Sequence, residues 1–179
     1  MADLKIHNPK NTIVAVDPGN KKSAFVVLED GEPVDIGIHD NEYFLCLLDY
    51  VSIIWPESTL VIEMIACYGM AVGAEVFETC VWIGRFRERF CGPVEFMYRK
   101  DVKMNLCQSM RAKDANIRQA VIDRFGGKES GIGNKKSPGP LYGAKKDIWA
   151  AIAVGLTYMD EVNAGLREAV DTSGGEAEV

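Results

Sequence analysis

Histidine is almost missing from this chain: of 179 residues only His7 and His39 carry an imidazole. Neither stands near another soft ligand, and the five cysteines (Cys46, Cys67, Cys80, Cys91, Cys107) are an odd number with no Cys-x-x-Cys pair. That combination argues against a zinc site, whose ligands come as closely spaced Cys and His pairs. Most of the cysteines have apolar neighbours, so they are expected to be small buried hydrophobes in a reducing compartment, not a disulfide framework. Long apolar runs are absent too: none reaches the roughly 20 residues that span a bilayer. The opening Met-Ala-Asp-Leu-Lys-Ile-His has no apolar signal core. A soluble, cytoplasmic protein with no membrane partner is the expectation.

Oxygen ligands and charge are plentiful. Asp and Glu number 26 against 20 Lys and Arg, for a net charge of −6. That average hides a segregation. Between Arg85 and Lys146 there are 15 basic and 6 acidic residues, a net of +9, whereas the rest of the chain carries −15. Such asymmetry suggests a basic face presented to a polyanion, against the plainer reading of charges that merely keep a surface solvated.

Three carboxylates stand at the rims of apolar runs. Asp17 ends Ile13-Val14-Ala15-Val16, Glu63 ends Thr59-Leu60-Val61-Ile62, and Asp147 precedes the apolar stretch 148–158. An unpaired carboxylate in a core is costly, so three acids in such frames make sense if they converge on a positive partner such as a divalent ion. Each has a plainer reading as well. Asp17-Pro18-Gly19 is a good turn, Glu63 can pair with any Lys or Arg, and Asp147 suits a helix start.

Hydrophobic periodicity gives the order of elements. Strands are expected at 12–16, 23–28 and 34–38, with a hairpin turn at Glu29-Asp30-Gly31-Glu32. Asn41 is positioned to cap a helix over 42–54 whose inner face holds Phe44, Leu47, Leu48 and Val51. A strand at 59–64 precedes a long helix over 69–90 with Val72, Val76, Cys80, Ile83 and Phe86 inward. Arg85, Arg87 and Arg89 mark that helix's exposed end. A strand at 94–98, helices at 102–110 and 114–125, a Gly-, Pro- and Lys-rich loop at 131–143 and a helix over 144–159 complete the chain. The pattern is an α/β domain with one mixed sheet, spanning 1–165, followed by a flexible acidic tail at 166–179.

The blocks Ile13-Val14-Ala15-Val16-Asp17-Pro18-Gly19, Val61-Ile62-Glu63 and Asp147-Ile-Trp-Ala-Ala-Ile-Ala-Val resemble the motifs of RuvC-type Holliday-junction resolvases. The resemblance continues through Met97-Tyr98-Arg99-Lys100-Asp101-Val102-Lys103 and Asn116-Ile117-Arg118-Gln119-Ala120-Val121, so it covers about 12–160. Asn134-Lys-Lys-Ser-Pro-Gly-Pro-Leu-Tyr before the last block is similar to bacteriophage-encoded versions.

This resemblance implies an RNase H-like fold with a five-stranded mixed sheet flanked by helices. It implies a homodimer in the bacterial cytoplasm that binds four-way DNA junctions and nicks two strands symmetrically, using two Mg²⁺ or Mn²⁺ ions per site. Asp17, Glu63 and Asp147 become metal ligands and Lys103 a catalytic lysine near the scissile phosphate. Lys113 lies close to a second such lysine, with Asp114 competing for the same column. Arg99, Lys100, Lys135, Lys136, Lys145 and Lys146 are expected to contact DNA.

Two departures stand out. Ala144 occupies the place of a fourth acid found in many relatives, and Ala66 the place of an aromatic that enters the junction, leaving Tyr68 as a displaced substitute. The alternatives are another RNase H-fold nuclease acting on forks, flaps or RNA, and a junction-binding protein with impaired catalysis. An actin-like ATPase fits poorly, because the chain is short for two lobes and has no second phosphate loop.

Overall fold

The structure is a computed structural model that describes residues 11–67, 69 and 71–167. Tyr68, His7 and all of the expected tail beyond Arg167 lie outside those residues. Strand β1 (Thr12–Asp17) is an apolar run buried on both faces. β2 (Lys22–Glu29) and β3 (Glu32–Asp40) form the expected hairpin, with φ of 49° at Asp30 and 90° at Gly31. Two successive positive φ values make the turn that matches strand twist. β4 (Thr59–Met64) runs parallel to β1, and β5 (Val94–Tyr98) parallel to β4. The order β3-β2-β1-β4-β5 is the five-stranded mixed sheet that was expected.

Helices cover both faces. α1 (Asn41–Ile54) and α2 (Ala74–Arg89) pack on Val14, Val16, Phe25, Val27, Leu60 and Ile62. On the other face α5 (Ile148–Asn163) packs on β1, β2 and β4, α3 (Arg99–Cys107) lies beside it and against β5, and α4 (Asp114–Arg124) packs on α3 and α5, in one core with Ile13, Ala15, Val26, Val61 and Met97. Among the described residues no helix is long and apolar enough to cross a membrane. α5 is apolar nearly all round and, apart from the half-buried Ala150, buried from Ile148 to Met159, the pattern of a helix enclosed by its neighbours. It lies so close to the sheet that a Cβ on Gly155 would come within 2.6 Å of Leu28 Cδ1 and 3.0 Å of the Ala15 Cβ.

Several expectations need correction. Cys46, Cys80 and Cys91 are exposed, and Cys67 and Cys107 are half-buried, although all five are free thiols. The inward stripe of α2 is Thr79, Ile83 and Phe86, so Cys80 falls on the solvent side. α2 begins at Ala74, not 69, and α5 at Ile148, not 144. Lys146, with φ of 47°, interrupts helical backbone just before α5. α3 starts at Arg99 and ends at Cys107 with Gln108 in the left-handed conformation, earlier than the expected 102–110. The loop after α4 holds a π-turn (Lys128–Ile132) and a short hairpin, β6 (Gly133–Asn134) with β7 (Ser137–Pro138). Arg85 and Arg89 are not simply an exposed end: they pair with Glu42 and Asp49 and tie α2 to α1. Arg167, the last described residue, pairs with Glu95 and Glu161.

Candidate active site

Strand parity decides where the acids go. Successive side chains on a strand alternate faces. Ile13 and Ala15 point toward α5, so Asp17 does too; Val61 points the same way, and so does Glu63. β1 and β4 are parallel with Ala15 opposite Val61 and Val16 opposite Ile62, and the next step of that register sets Asp17 beside Glu63. Both acids therefore emerge at the carboxyl ends of neighbouring parallel strands, where open α/β sheets bind ligands. Asp147 meets them from above: it is the residue before α5, and its carboxylate makes no capping bond to that helix.

The three acids line one cavity of about 340 Å³, together with Asp114, Arg99, Arg118, Lys146 and Trp149. The backbone beside Asp17 is braced. The Asn41 side chain donates from Nδ2 to the Gly19 carbonyl (2.8 Å) and accepts from Ser23 Oγ at Oδ1 (2.8 Å). Asn41 thus works inside α1 as a buried lock on the β1–β2 turn instead of capping the helix, a role that no local pattern announces. Gly19 is required in that turn, because a Cβ there would meet the Lys22 carbonyl oxygen at 2.4 Å.

The electrostatics are those of a site short of positive charge. Burial, with Glu63 and Asp147 adding like-charge repulsion, pushes the Asp17 carboxyl up to about 8. Burial raises Glu63 as well, against the opposing pull of Arg99 and a smaller one from Lys103. Lys103, on α3, is therefore near the site. Arg99 lies between elements: its guanidinium is 3.5 Å from Glu63 Oε1 and 2.5 Å from Asp114 Oδ1.

The other expected DNA-contacting residues are spread around this cavity. Lys146 lines it, while Lys100, Lys113, Lys135, Lys136 and Lys145 are exposed outside it. Lys135 and Lys136 form the tip of the β6–β7 hairpin, where the Asn134 side chain accepts bonds from the Lys136 and Ser137 amides. In the column left open between Lys113 and Asp114, it is Asp114 that faces the cavity. Arg118, one helical turn after Asp114, was not singled out from the sequence. Its guanidinium carbon sits 4.7 Å from the ring centroid of Trp149, which holds the charge at the cavity wall.

As ligands for a divalent ion, the residues fit in chemistry: hard carboxylate oxygens, one of them, on the half-buried Asp17, with no hydrogen bond to it among the described residues. Their present spacing is open. Among the described residues no three Asp, Glu, His or Cys side chains are gathered tightly enough to chelate an ion as they stand.

No family model and no curated protein matches the sequence. Solved structures do match. A structure of Thermus thermophilus RuvC superimposes with a TM-score of 0.60 at 16% identity, covering 86% of this chain and 96% of that one. T. thermophilus RuvC in complex with a Holliday junction substrate gives 0.61 at 12% identity, covering 87% and 96%. The chain has the RNase H-like fold of RuvC. The five-stranded sheet and its helices on both faces are thus the architecture implied by the sequence motifs.

Proposed function

We propose that this chain is a structure-selective DNA endonuclease that resolves four-way junctions, nicking two strands symmetrically as a homodimer. The observation that carries the reading is the convergence of Asp17, Glu63 and Asp147 on one cavity at the carboxyl ends of β1 and β4. The same fold in a T. thermophilus RuvC bound to a Holliday junction substrate supports it.

On this reading Asp17, Glu63 and Asp147 hold Mg²⁺ or Mn²⁺, two ions per site. Bound there, the ions would supply an activated water as nucleophile and positive charge for the leaving oxygen. The chain's own residues do the rest. Arg118, fixed on Trp149, and Lys146, at the cavity edge, hold the scissile phosphate by charge. Lys103 adds positive potential beside Glu63. Asn41 and Ser23 keep the Asp17 turn from moving as charge changes in the site. A dimer is supported by α2, whose outer face exposes Phe77 and Val81 and where a Cβ on Gly73 or Gly84 would meet open space.

The exposed lysines at the β6–β7 tip suit phosphates further along an arm. Lys135→Ala/Lys136→Ala should weaken junction binding and reduce the salt dependence of log K by about 2, close to one per lost phosphate contact. An unchanged salt slope would remove these residues from the DNA path.

Substrate choice is tested by comparing four-way junction, fork, flap and RNA:DNA hybrid at equal concentration with Mg²⁺. Preferential paired nicking of the junction is expected. Preference for the hybrid or the flap would point to another RNase H-fold nuclease. Tight junction binding with no nicking would point to an impaired binding protein, the alternative raised by Ala144.

A further inference from the structure

Four carboxylates and three cations line the cavity, but the cations are not equivalent. Arg118 is stacked on Trp149, and Lys146 is exposed. Among the described residues, Arg99 is the cation that forms ion pairs with acids of the cavity. Its position follows from the chain path: β5 ends at Tyr98 beside Met64, and Arg99 opens α3 at that same sheet edge.

The two ion pairs of Arg99 differ. The contact to Glu63 is long, 3.5 Å, and involves an acid whose side chain is only 13% exposed. The contact to Asp114 is short, 2.5 Å, and that acid is 86% exposed. A buried carboxylate needs a positive partner, whereas an exposed one is well solvated without it. The guanidinium is therefore anchored at the solvent side and leans inward on the acid that lacks solvent.

We infer that Arg99 is the resident counter-ion of the metal site: it neutralises Glu63 while the carboxylates are bare, gives Glu63 up when a divalent ion enters, and stays tethered by Asp114. This rests on the metal-dependent reading above. It fits the open spacing of the acids: the partner of Glu63 is the guanidinium, which Asp114 holds at its other end. Asp114 is then a tether for Arg99 and not a replacement for the acid missing at Ala144.

The test is Mn²⁺ affinity by isothermal titration calorimetry on the full chain without DNA, at fixed pH and ionic strength. Arg99→Gln removes the competitor and should tighten Mn²⁺ binding roughly three- to tenfold, the scale of a half-exposed ion pair. Arg118→Gln deletes a cavity cation that does not touch Glu63 and should change affinity clearly less. Asp114→Asn frees Arg99 to grip Glu63 and should weaken binding; in Arg99→Gln the same change should cost clearly less, since only the charge of Asp114 at the cavity is then lost.

Equal tightening by Arg118→Gln would reduce the effect to net charge and overturn the inference. A loss from Asp114→Asn that is undiminished without Arg99 would show that Asp114 does not act through Arg99 and overturn it also. Asp17→Asn separates the two levels. If Mn²⁺ binding depends on Asp17 but Arg99→Gln does not tighten it, the counter-ion role alone fails. If binding is insensitive to Asp17, the metal site itself fails, and this inference with it.

Discussion

Asp17→Asn should make the metal-free protein more stable at pH 8, by on the order of 5–10 °C in Tm, and change little at pH 4. The Asp17 carboxyl is pushed up to about 8 from an ordinary 3.8 by burial first and by Glu63 and Asp147 second. Between those two values the unfolded chain has lost the proton and the folded chain keeps it. Stability contributed by this residue therefore falls as pH rises from about 4 to 8, and the loss is complete above that range. At about 1.4 kcal/mol for each unit, discounted for incomplete burial, the cost at pH 8 is about 2–4 kcal/mol. A domain of this size gains roughly 2–4 °C for each kcal/mol recovered. Asn keeps the shape and removes the charge. Thermal melts of both proteins at pH 4, 6 and 8 in a metal chelator check this, and a wild type as stable as the variant at pH 8 would contradict it. Adding Mg²⁺ should raise the wild-type Tm and leave the variant nearly unmoved. A more stable Asp17→Asn would be the trade-off between activity and stability expected of an acid kept for function.

The second large effect is expected where α5 rests on the sheet. Gly155→Val should destabilise the protein by about 1–3 kcal/mol and depress cleavage as well. A Cβ there already meets Leu28 Cδ1 at 2.6 Å and the Ala15 Cβ at 3.0 Å. Leu28 is fully buried, and the Ala15 Cβ is fixed to the central strand, so neither can step aside freely. α5 must lift, and with it Asp147, about two turns earlier on the same rigid helix. Valine's better helix propensity returns only a few tenths of a kcal/mol. Denaturant unfolding and Mg²⁺-dependent cleavage measure the two consequences. Wild-type stability would show that α5 does not sit as tightly on β1 as described, whereas lost stability with unchanged cleavage would uncouple the helix from Asp147.

What the sequence made legible was governed by period and by short-range chemistry. The strand frames of Asp17 and Glu63 could be read because apolar runs bounded by turns are strands, and parity then put both acids on one face. The Asp30-Gly31 turn was equally plain. Harder to read was what depends on partners distant in sequence. Asn41 looked like a cap because Asn before an apolar stripe usually is one, but Gly19 and Ser23 claim its side chain. Cys80 looked buried because it falls at helical spacing with Val72, Val76, Ile83 and Phe86; only the rotation of α2 on the sheet puts Thr79 inward in its place. Arg118 and Asp114 gained meaning when α4 docked beside Trp149 and Arg99, contacts spanning 31 and 15 residues of chain. The start of α5 was misplaced by four residues because Ala144, Lys145 and Lys146 have good helix propensity, while the backbone turns left-handed at Lys146.

Three carboxylates at one sheet edge are proposed to form a metal-dependent nuclease site for branched DNA. The measurement that tests it most directly is cleavage of a synthetic four-way junction in Mg²⁺ by the wild type and by Asp17→Asn, with junction binding followed in parallel. Paired nicks are expected from the wild type, none in chelator, and a loss of roughly a thousandfold in Asp17→Asn with binding retained, the rate equivalent of several kcal/mol of lost charge stabilisation. Undiminished nicking by Asp17→Asn, or a wild type that grips the junction and never cuts it, would contradict the account.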